Sequence, residues 1–387
     1  MAAEYGGSSI NKESTSSTSG GFLFGVVLFL AAFPLLFWNE GNAVQTARAL
    51  EEGKGAVISL QVPVIDPANE GKLVHFVGSA VTSEELVDDY TGVRAHAIKL
   101  HRGSRMYQWK ETARKKENTT EYYYDKVWSE FHMNSSNYHN QQYSNPPTMK
   151  ITSQMYVAQN VTVGDYRLSP KMIADISEAN PYPLDQEKFS TFPDSLRSVA
   201  IPHEGGFYLG SSPQDPQIGD IQVQYKVYPE QEVSVVGKQE NRRAVVYTTS
   251  NGKNIELIYP GFKTADEIFE AEQTKNVIIT WVIRGAGVMV MYIGLMLSVG
   301  QVARIFSWIP FLGSAVASGV SMIAGLLSLS LSFVVISVAW IFYRPLLGIG
   351  LLVVAGVLVG LIIRKAKSGQ REEPSGDMPP PIPPPIP

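Results

Sequence analysis

Four stretches of the chain are long, apolar and almost free of charge. The first, Gly21–Trp38 (GFLFGVVLFLAAFPLLFW), is eighteen residues without a charge. At about 1.5 Å per residue it nearly crosses a hydrocarbon core of about 30 Å, and Trp38 suits the interface. The preceding tail is nearly neutral and Asn39-Glu40-Gly41 is a poor small-x-small cleavage site, so a signal anchor is expected rather than a cleaved peptide. The second stretch, residues 277–302, contains Arg284. Counted from Val277, this arginine lies about 10 Å into the helix, a depth from which it can snorkel back to the headgroups. Between Arg304 and Arg344 every residue is uncharged. That run is too long for one span and short for two, and Pro310 with the small residues Gly313–Gly319 predicts an interfacial piece at 305–317. A third span follows at 320–342, where Trp340, Phe342 and Tyr343 make an aromatic end. Pro345 suits the first turn of a fourth span at 346–363, which leaves spans three and four as a tight hairpin.

Between the first and second spans the pattern changes. Asn39–Glu52 carries helix formers with Val44, Ala47 and Leu50 on one face, which predicts a short helix leaving the membrane and ending near Gly53. Strand-like runs follow at Leu73–Val77, Val93–Leu100, Met106–Glu111 and Glu121–Phe131. In Asp220–Val227 the residues Ile221, Val223, Tyr225 and Val227 alternate with Gln222, Gln224 and Lys226, the pattern of a strand with one wet face. Val233–Val236, Ala244–Thr248 and Ile255–Tyr259 add strands, the last two separated by a turn at Asn251-Gly252. Helices are expected at Pro170–Glu178 and at Thr264–Gln273, the latter running on into the membrane. The fold class is therefore a multi-pass α-helical membrane protein of four helices, with a large β-rich α+β domain, residues 39–276, inserted between helices one and two.

Charge sets the orientation. Arg364, Lys365, Lys367 and Arg371 follow the fourth span, and positive ends stay cytoplasmic. Four spans then place both tails in the cytoplasm and the 39–276 domain in a lumen. Asn118, Asn134 and Asn160 stand in acceptor sequons inside that domain and are candidate glycosylation sites. Residues 1–20, rich in Ser, Thr and Gly, are expected to be disordered. The tail 364–387 is basic and then proline-rich, ending in a preformed extended surface of the kind that SH3, WW and EVH1 domains read.

Composition removes much chemistry. The chain has no cysteine, hence no disulfide, thiolate metal site or cysteine nucleophile. The 39–276 domain holds 24 Lys and Arg against 31 Asp and Glu, a net of −7, which argues against nucleic acid as a partner. No Asp, Glu, His or Cys occurs in spans two to four, so proton pumping and intramembrane proteolysis lack their groups there. No Walker loop, dinucleotide fingerprint or nucleophile elbow is present, and no catalytic, cofactor or metal site is expected. His96 and His101 are expected to face opposite sides of one strand, and Glu84-Glu85 with Asp88-Asp89 to form an exposed acidic turn. Tyr122-Tyr123-Tyr124 with Trp128 should occupy both faces of a strand. His75 and His203-Glu204 are the residues to watch as potential bases. For helix packing the candidates are Gly21-x-x-x-Gly25 and Gly356-x-x-x-Gly360, with Gly294-x-x-x-Ser298 and Ala315-x-x-x-Gly319 as looser versions, and Ser328, Ser330, Ser332 and Ser337 read as back-bonding or gluing groups.

Several short motifs occur in order: Asn39-Glu40-Gly41 before an Ala/Thr-rich helix, Asn69-Glu70-Gly71 running into Lys72-Leu73-Val74-His75, and Met106-Tyr107-Gln108-Trp109. Gly219-Asp220-Ile221-Gln222-Val223 and Trp340-Ile341-Phe342-Tyr343-Arg344-Pro345-Leu346 complete the set. Together they resemble the LUMA family, also called the transmembrane protein 43 family, over residues 21 to 363. The resemblance implies four membrane helices with a large lumenal domain and residence in the endoplasmic reticulum and inner nuclear membrane. It also implies self-association and a scaffolding role with emerin- and lamin-like nuclear-envelope proteins. A non-enzymatic membrane organiser is thus expected, the alternative being a membrane-anchored lumenal enzyme or lipid/ligand-binding module. A channel has little support, since no span carries a polar stripe beyond the serines.

Overall fold

The computed structural model describes residues 18–116, 119–305 and 312–345. Six α-helices occur among them: α1 (Thr18–Ala56), α2 (Pro170–Asp175), α3 (Gln186–Ser190), α4 (Asp194–Arg197), α5 (Ala265–Ile305) and α6 (Leu312–Tyr343). Among the described residues three segments are long and apolar enough to cross a membrane: Gly21–Ala56, Ala265–Ser298 and Ser321–Tyr343. The expected fourth span, 346–363, lies outside the described residues, as do the tail 364–387 and nearly all of 1–20. The chain divides into two compact units, one of Thr46–Lys275 and one of Ser17–Gln45 with Asn276 onward.

The helices differ from expectation in three places. The first span and the short helix after it form one helix of 39 residues, about 58 Å long. The helix runs on through Asn39-Glu40, whose side chains bond to α5. Residues 312–317, expected in an interfacial piece, are the opening turns of α6, and residue 305 closes α5, with residues 306–311 undescribed. Leu312, Ala315 and Ala317 favour a helix there. α5 joins the Thr264–Gln273 helix to the second span without interruption.

In the unit 46–275, two sheets share one hydrophobic core. The first sheet centres on Leu73–Val81 and Gln231–Glu240, paired antiparallel from Leu73↔Lys238 to Ala80↔Gln231. It curls on itself. Leu73–Val81 also pairs with Thr162–Val163, which leads through Tyr166–Leu168 and Arg243–Val245 back to Gln231–Glu240, a ring of pairings. The second sheet runs Ala200–His203, Gly206–Leu209, Ile221–Tyr228, Lys99–Lys116, Thr119–Ser129. Val74, Phe76 and Val235 from the first sheet and Leu100, Phe207 and Val223 from the second meet in the core, where Phe76 stacks on Tyr166 at 4.2 Å. Each such side chain contributes about 1.5–3 kcal/mol on burial. A smaller cluster packs Leu50 of α1 and Ile268 and Phe269 of α5 against Leu73, Val236 and Ile255.

One element projects from this body. Lys99–Lys116 pairs with Ile221–Tyr228 only over residues 99–106, whereas its pairing with Thr119–Ser129 starts at Met106↔Ser129 and runs to Lys116↔Thr119. Residues 107–116 and 119–129 therefore form a two-stranded arm, the arm 107–129. The loop after it folds back on one face: His139 stacks on Tyr122 at 4.2 Å, and Tyr143 stacks on Tyr124 at 4.0 Å. Tyr123 faces the other way, bonded to Glu121 and under Arg114.

Candidate functional site

The unit of Ser17–Gln45 with Asn276 onward is a three-helix bundle as far as it is described. α1 and α5 run antiparallel, with Gly25 against Gly294, Leu36 against Gly287 and Asn39 against Thr280. Small residues allow this. A Cβ on Gly294 would stand 2.5 Å from the Phe29 amide nitrogen, and one on Gly25 would stand 2.8 Å from the Gly294 carbonyl oxygen. Ala32, Leu36 and Met291 form its small core, with Leu331 and Val335 of α6 packed on them. Ser332 donates to the Met291 sulfur, and Ser328 back-bonds to Ala324.

The charged centre of the bundle is Glu40, whose side chain is 1% exposed. Its carboxylate accepts from Arg284 Nε at 2.6 Å and Arg284 Nη2 at 2.7 Å, a bidentate pair between α1 and α5. Trp340 of α6 donates its indole N–H to the same carboxylate at 2.8 Å. Beside it, Asn39 Nδ2 donates to the Thr280 carbonyl at 3.2 Å and Asn276 Nδ2 to the Ala43 carbonyl at 3.0 Å. The Arg284 guanidinium also lies 4.6 Å from the Trp281 ring centroid. A charge left alone at this depth is expensive, and intramembrane charges accordingly pair with one another. Arg284 is thus held by a carboxylate within the chain, and it does not need to snorkel to the headgroups. Sequence reasoning treated the two residues separately. The signal available was their opposite sign: Glu40 lies just beyond one span and Arg284 is the lone charge inside the next.

The other predicted residues are distributed as follows. Gly25 is buried against Gly294 and Ser298, a contact inside the chain, and Gly21 lies half-buried in α1. Gly356, Gly360 and Asn118 lie outside the described residues. Asn134 is exposed, its Oδ1 accepting from the Ser136 N–H, whereas Asn160 Nδ2 donates to Glu84 at 2.7 Å.

His75 and His203 stand on different sheets and share no partner. His75 is buried, its Nε2 donating to the Lys263 carbonyl at 2.9 Å with Ser59 Oγ 3.3 Å from Nδ1; burial keeps it below the usual histidine range, against the pull of that carbonyl. His203 stands 3.8 Å from the exposed Glu204. His96 and His101 are not on one strand: Arg94–His96 pairs with Glu85–Val87, and His101 belongs to Lys99–Lys116. Among the described residues no three His, Asp or Glu side chains gather where they could hold a metal.

The acidic turn is the larger correction. Asp88 is fully buried, accepting from Arg102 at 2.5 Å, from Tyr156 at 2.7 Å, from Tyr225 and from the Tyr90 N–H. Burial pushes its carboxyl up, but the donors from Tyr225, Tyr156 and Tyr90 and the Arg102 charge together hold it below the ordinary range. Burial, with the same carboxylate accepting its hydroxyl, raises Tyr156 to about 12. Asp88 looked exposed in sequence because its side-chain partners lie 14 to 137 residues away.

The sequence profile of the family described as Transmembrane protein 43 matches residues 106–345. Transmembrane protein 43 of Rattus norvegicus is 33% identical over 360 residues, 86% of this chain and 87% of that protein. Transmembrane protein 43 of Homo sapiens is 32% identical over 382 residues, 92% of each chain. The Transmembrane protein 43 homolog of Drosophila melanogaster is 31% identical over 348 residues, 85% of this chain and 90% of that protein. No solved structure matches. With its membrane helices, its β-rich domain between the first and second spans and this similarity along most of its length, the chain belongs to the transmembrane protein 43 family.

Proposed function

We propose that this chain is a non-enzymatic membrane organiser of the endoplasmic reticulum and inner nuclear membrane, whose inserted domain lies in the lumen and binds other proteins. The observation that carries the binding role is the arm 107–129. Its outer strand, Thr119–Ser129, pairs on one side only among the described residues. An open edge of eleven residues is a template for an incoming strand. Beside it Phe131 is 81% exposed. The buried ion pair fits a fixed anchor better than a transport path, because the Glu40 carboxylate is already held by Arg284 Nε, Arg284 Nη2 and the Trp340 indole. Emerin- and lamin-like proteins are the partners that the family resemblance supplies. Self-association falls to Gly356 and Gly360, since Gly25 is occupied within the chain. A reader of the proline run 379–387 completes the partner set.

Co-purification from mild detergent, compared between the parent and a Lys126→Pro variant, tests this. Proline on the outer strand removes a backbone donor and stiffens the edge. Loss of a defined set of partners in the variant, with the fold retained, is expected. An identical partner set would sink the arm as the binding element.

A further inference from the structure

A cavity of about 240 Å³ opens beside the Glu40 clamp, and two arginines line it, Arg284 and Arg344. Arg284 has Nε and Nη2 committed to Glu40, which leaves Nη1 without a hydrogen bond among the described residues. The Arg344 guanidinium lies 6.0 Å from the Trp340 ring centroid and has no carboxylate partner among the described residues. Two guanidinium groups against one carboxylate leave one formal positive charge on the wall. This excess disfavours a cationic occupant, although Trp281 and Trp340 would otherwise suit one.

The setting identifies the anion. Trp281 is 64% exposed, Phe342 69%, and Trp38 57%, so aromatic side chains ring the same end of all three described spans, where bilayer meets water. Past the cavity, deeper along the span, α5 presents Met289, Ile293 and Leu297 as exposed residues one turn apart, an apolar face for acyl chains. We propose that this cavity binds the phosphodiester of an anionic glycerophospholipid. Arg344 and Arg284 Nη1 donate to the phosphate oxygens, Trp281 and Trp340 wall the glycerol, and the acyl chains lie along α5. The site is independent of the organiser function and requires no partner protein.

The test uses the full chain in dodecyl maltoside, observed by native mass spectrometry with dioleoyl phosphatidylglycerol, dioleoyl phosphatidylcholine or inorganic phosphate added. One phosphatidylglycerol per chain is expected in preference to phosphatidylcholine, with no displacement by millimolar inorganic phosphate. Arg344→Gln should weaken binding about fivefold, the ratio equivalent to about 1 kcal/mol for one interfacial cation. Arg344→Lys should recover most of it, and Arg304→Gln, near the far end of α5, should change nothing. If Arg344→Gln lowers the unfolding midpoint, Trp281→Leu, at an exposed position, serves instead and should show a comparable loss. Equal binding of the two lipids, displacement by inorganic phosphate, or undiminished binding in both variants overturns the proposal.

Discussion

Removing the Glu40 carboxylate should destabilise the helix bundle more than any other single change in it. In Glu40→Ala, Arg284 keeps its charge with its side chain 14% exposed and loses both short hydrogen bonds, while Trp340 loses its acceptor. Stripping one partner from a buried ion pair costs about 3–5 kcal/mol. Arg284 can recover part of that by swinging toward the headgroups, so about 3 kcal/mol is expected. Glu40→Gln keeps the volume and one acceptor oxygen, so at most two of the three bonds survive, each weakened by about 1 kcal/mol, for a loss of about 2–3 kcal/mol. The double variant Glu40→Gln with Arg284→Gln contains no orphaned charge. It should be less destabilised than the sum of its singles by about 2 kcal/mol, the coupling that defines the clamp. Unfolding in dodecyl maltoside micelles titrated with dodecyl sulfate, followed by tryptophan fluorescence, measures all four states. Singles within about 0.5 kcal/mol of the parent, or strict additivity, would refute the clamp.

Three further outcomes are expected. Gly294→Ala places a methyl 2.5 Å from the Phe29 amide and should cost about 1–3 kcal/mol in the same assay, whereas Gly285→Ala meets nothing within 4 Å and should be neutral. Asp88→Asn leaves Arg102, 7% exposed, without its carboxylate and should destabilise the 46–275 unit by about 3–5 kcal/mol at pH 7. Because the folded Asp88 carboxyl titrates below the unfolded one, acid protonates the unfolded chain first. Its contribution is therefore present above the ordinary aspartate value of about 3.9 and disappears as pH falls through the folded value. The parent should lose stability more steeply than Asp88→Asn in chemical unfolding curves taken below about pH 4. In sealed microsomes, added protease should remove both tails and spare the domain between the first two spans; digestion of that domain in intact vesicles would reverse the orientation.

Periodicity carried the local elements well. The strand Ile221–Tyr228 buries Ile221, Val223 and Tyr225 and exposes Gln224 and Lys226, as its alternation says. Gly252, in the turn joining Tyr247–Thr248 to Asn254–Ile255, takes φ of 79°, the left-handed backbone that an Asn-Gly pair suits. What escaped was every feature made by distant partners. Nothing near Asp88 announces Arg102 and Tyr225, so four neighbouring acids read as a wet turn. Nothing near Glu40 announces Arg284, so a polar tripeptide after an apolar run read as the end of a span. The ring of pairings in the first sheet escaped for the same reason, since Thr162–Val163 and Tyr166–Leu168 are too short to carry a period. Small residues in the spans pointed to close packing, but the choice of Gly294 as the partner of Gly25 is a matter of register between helices.

The clamp also imposes an order in time on the making of this protein. Glu40 leaves the ribosome with α1, but Arg284 follows 244 residues later and Trp340 300 residues later. At about 5–20 residues per second, the carboxylate waits about 12–50 s for its first partner and longer for its second. During that interval α1 must sit in the bilayer with an uncompensated acid at its edge, while the whole inserted domain is synthesised and folded. A chain that stops before α5 therefore displays, at the membrane surface, a charge that the finished protein hides, a local mark by which an incomplete copy differs from a complete one.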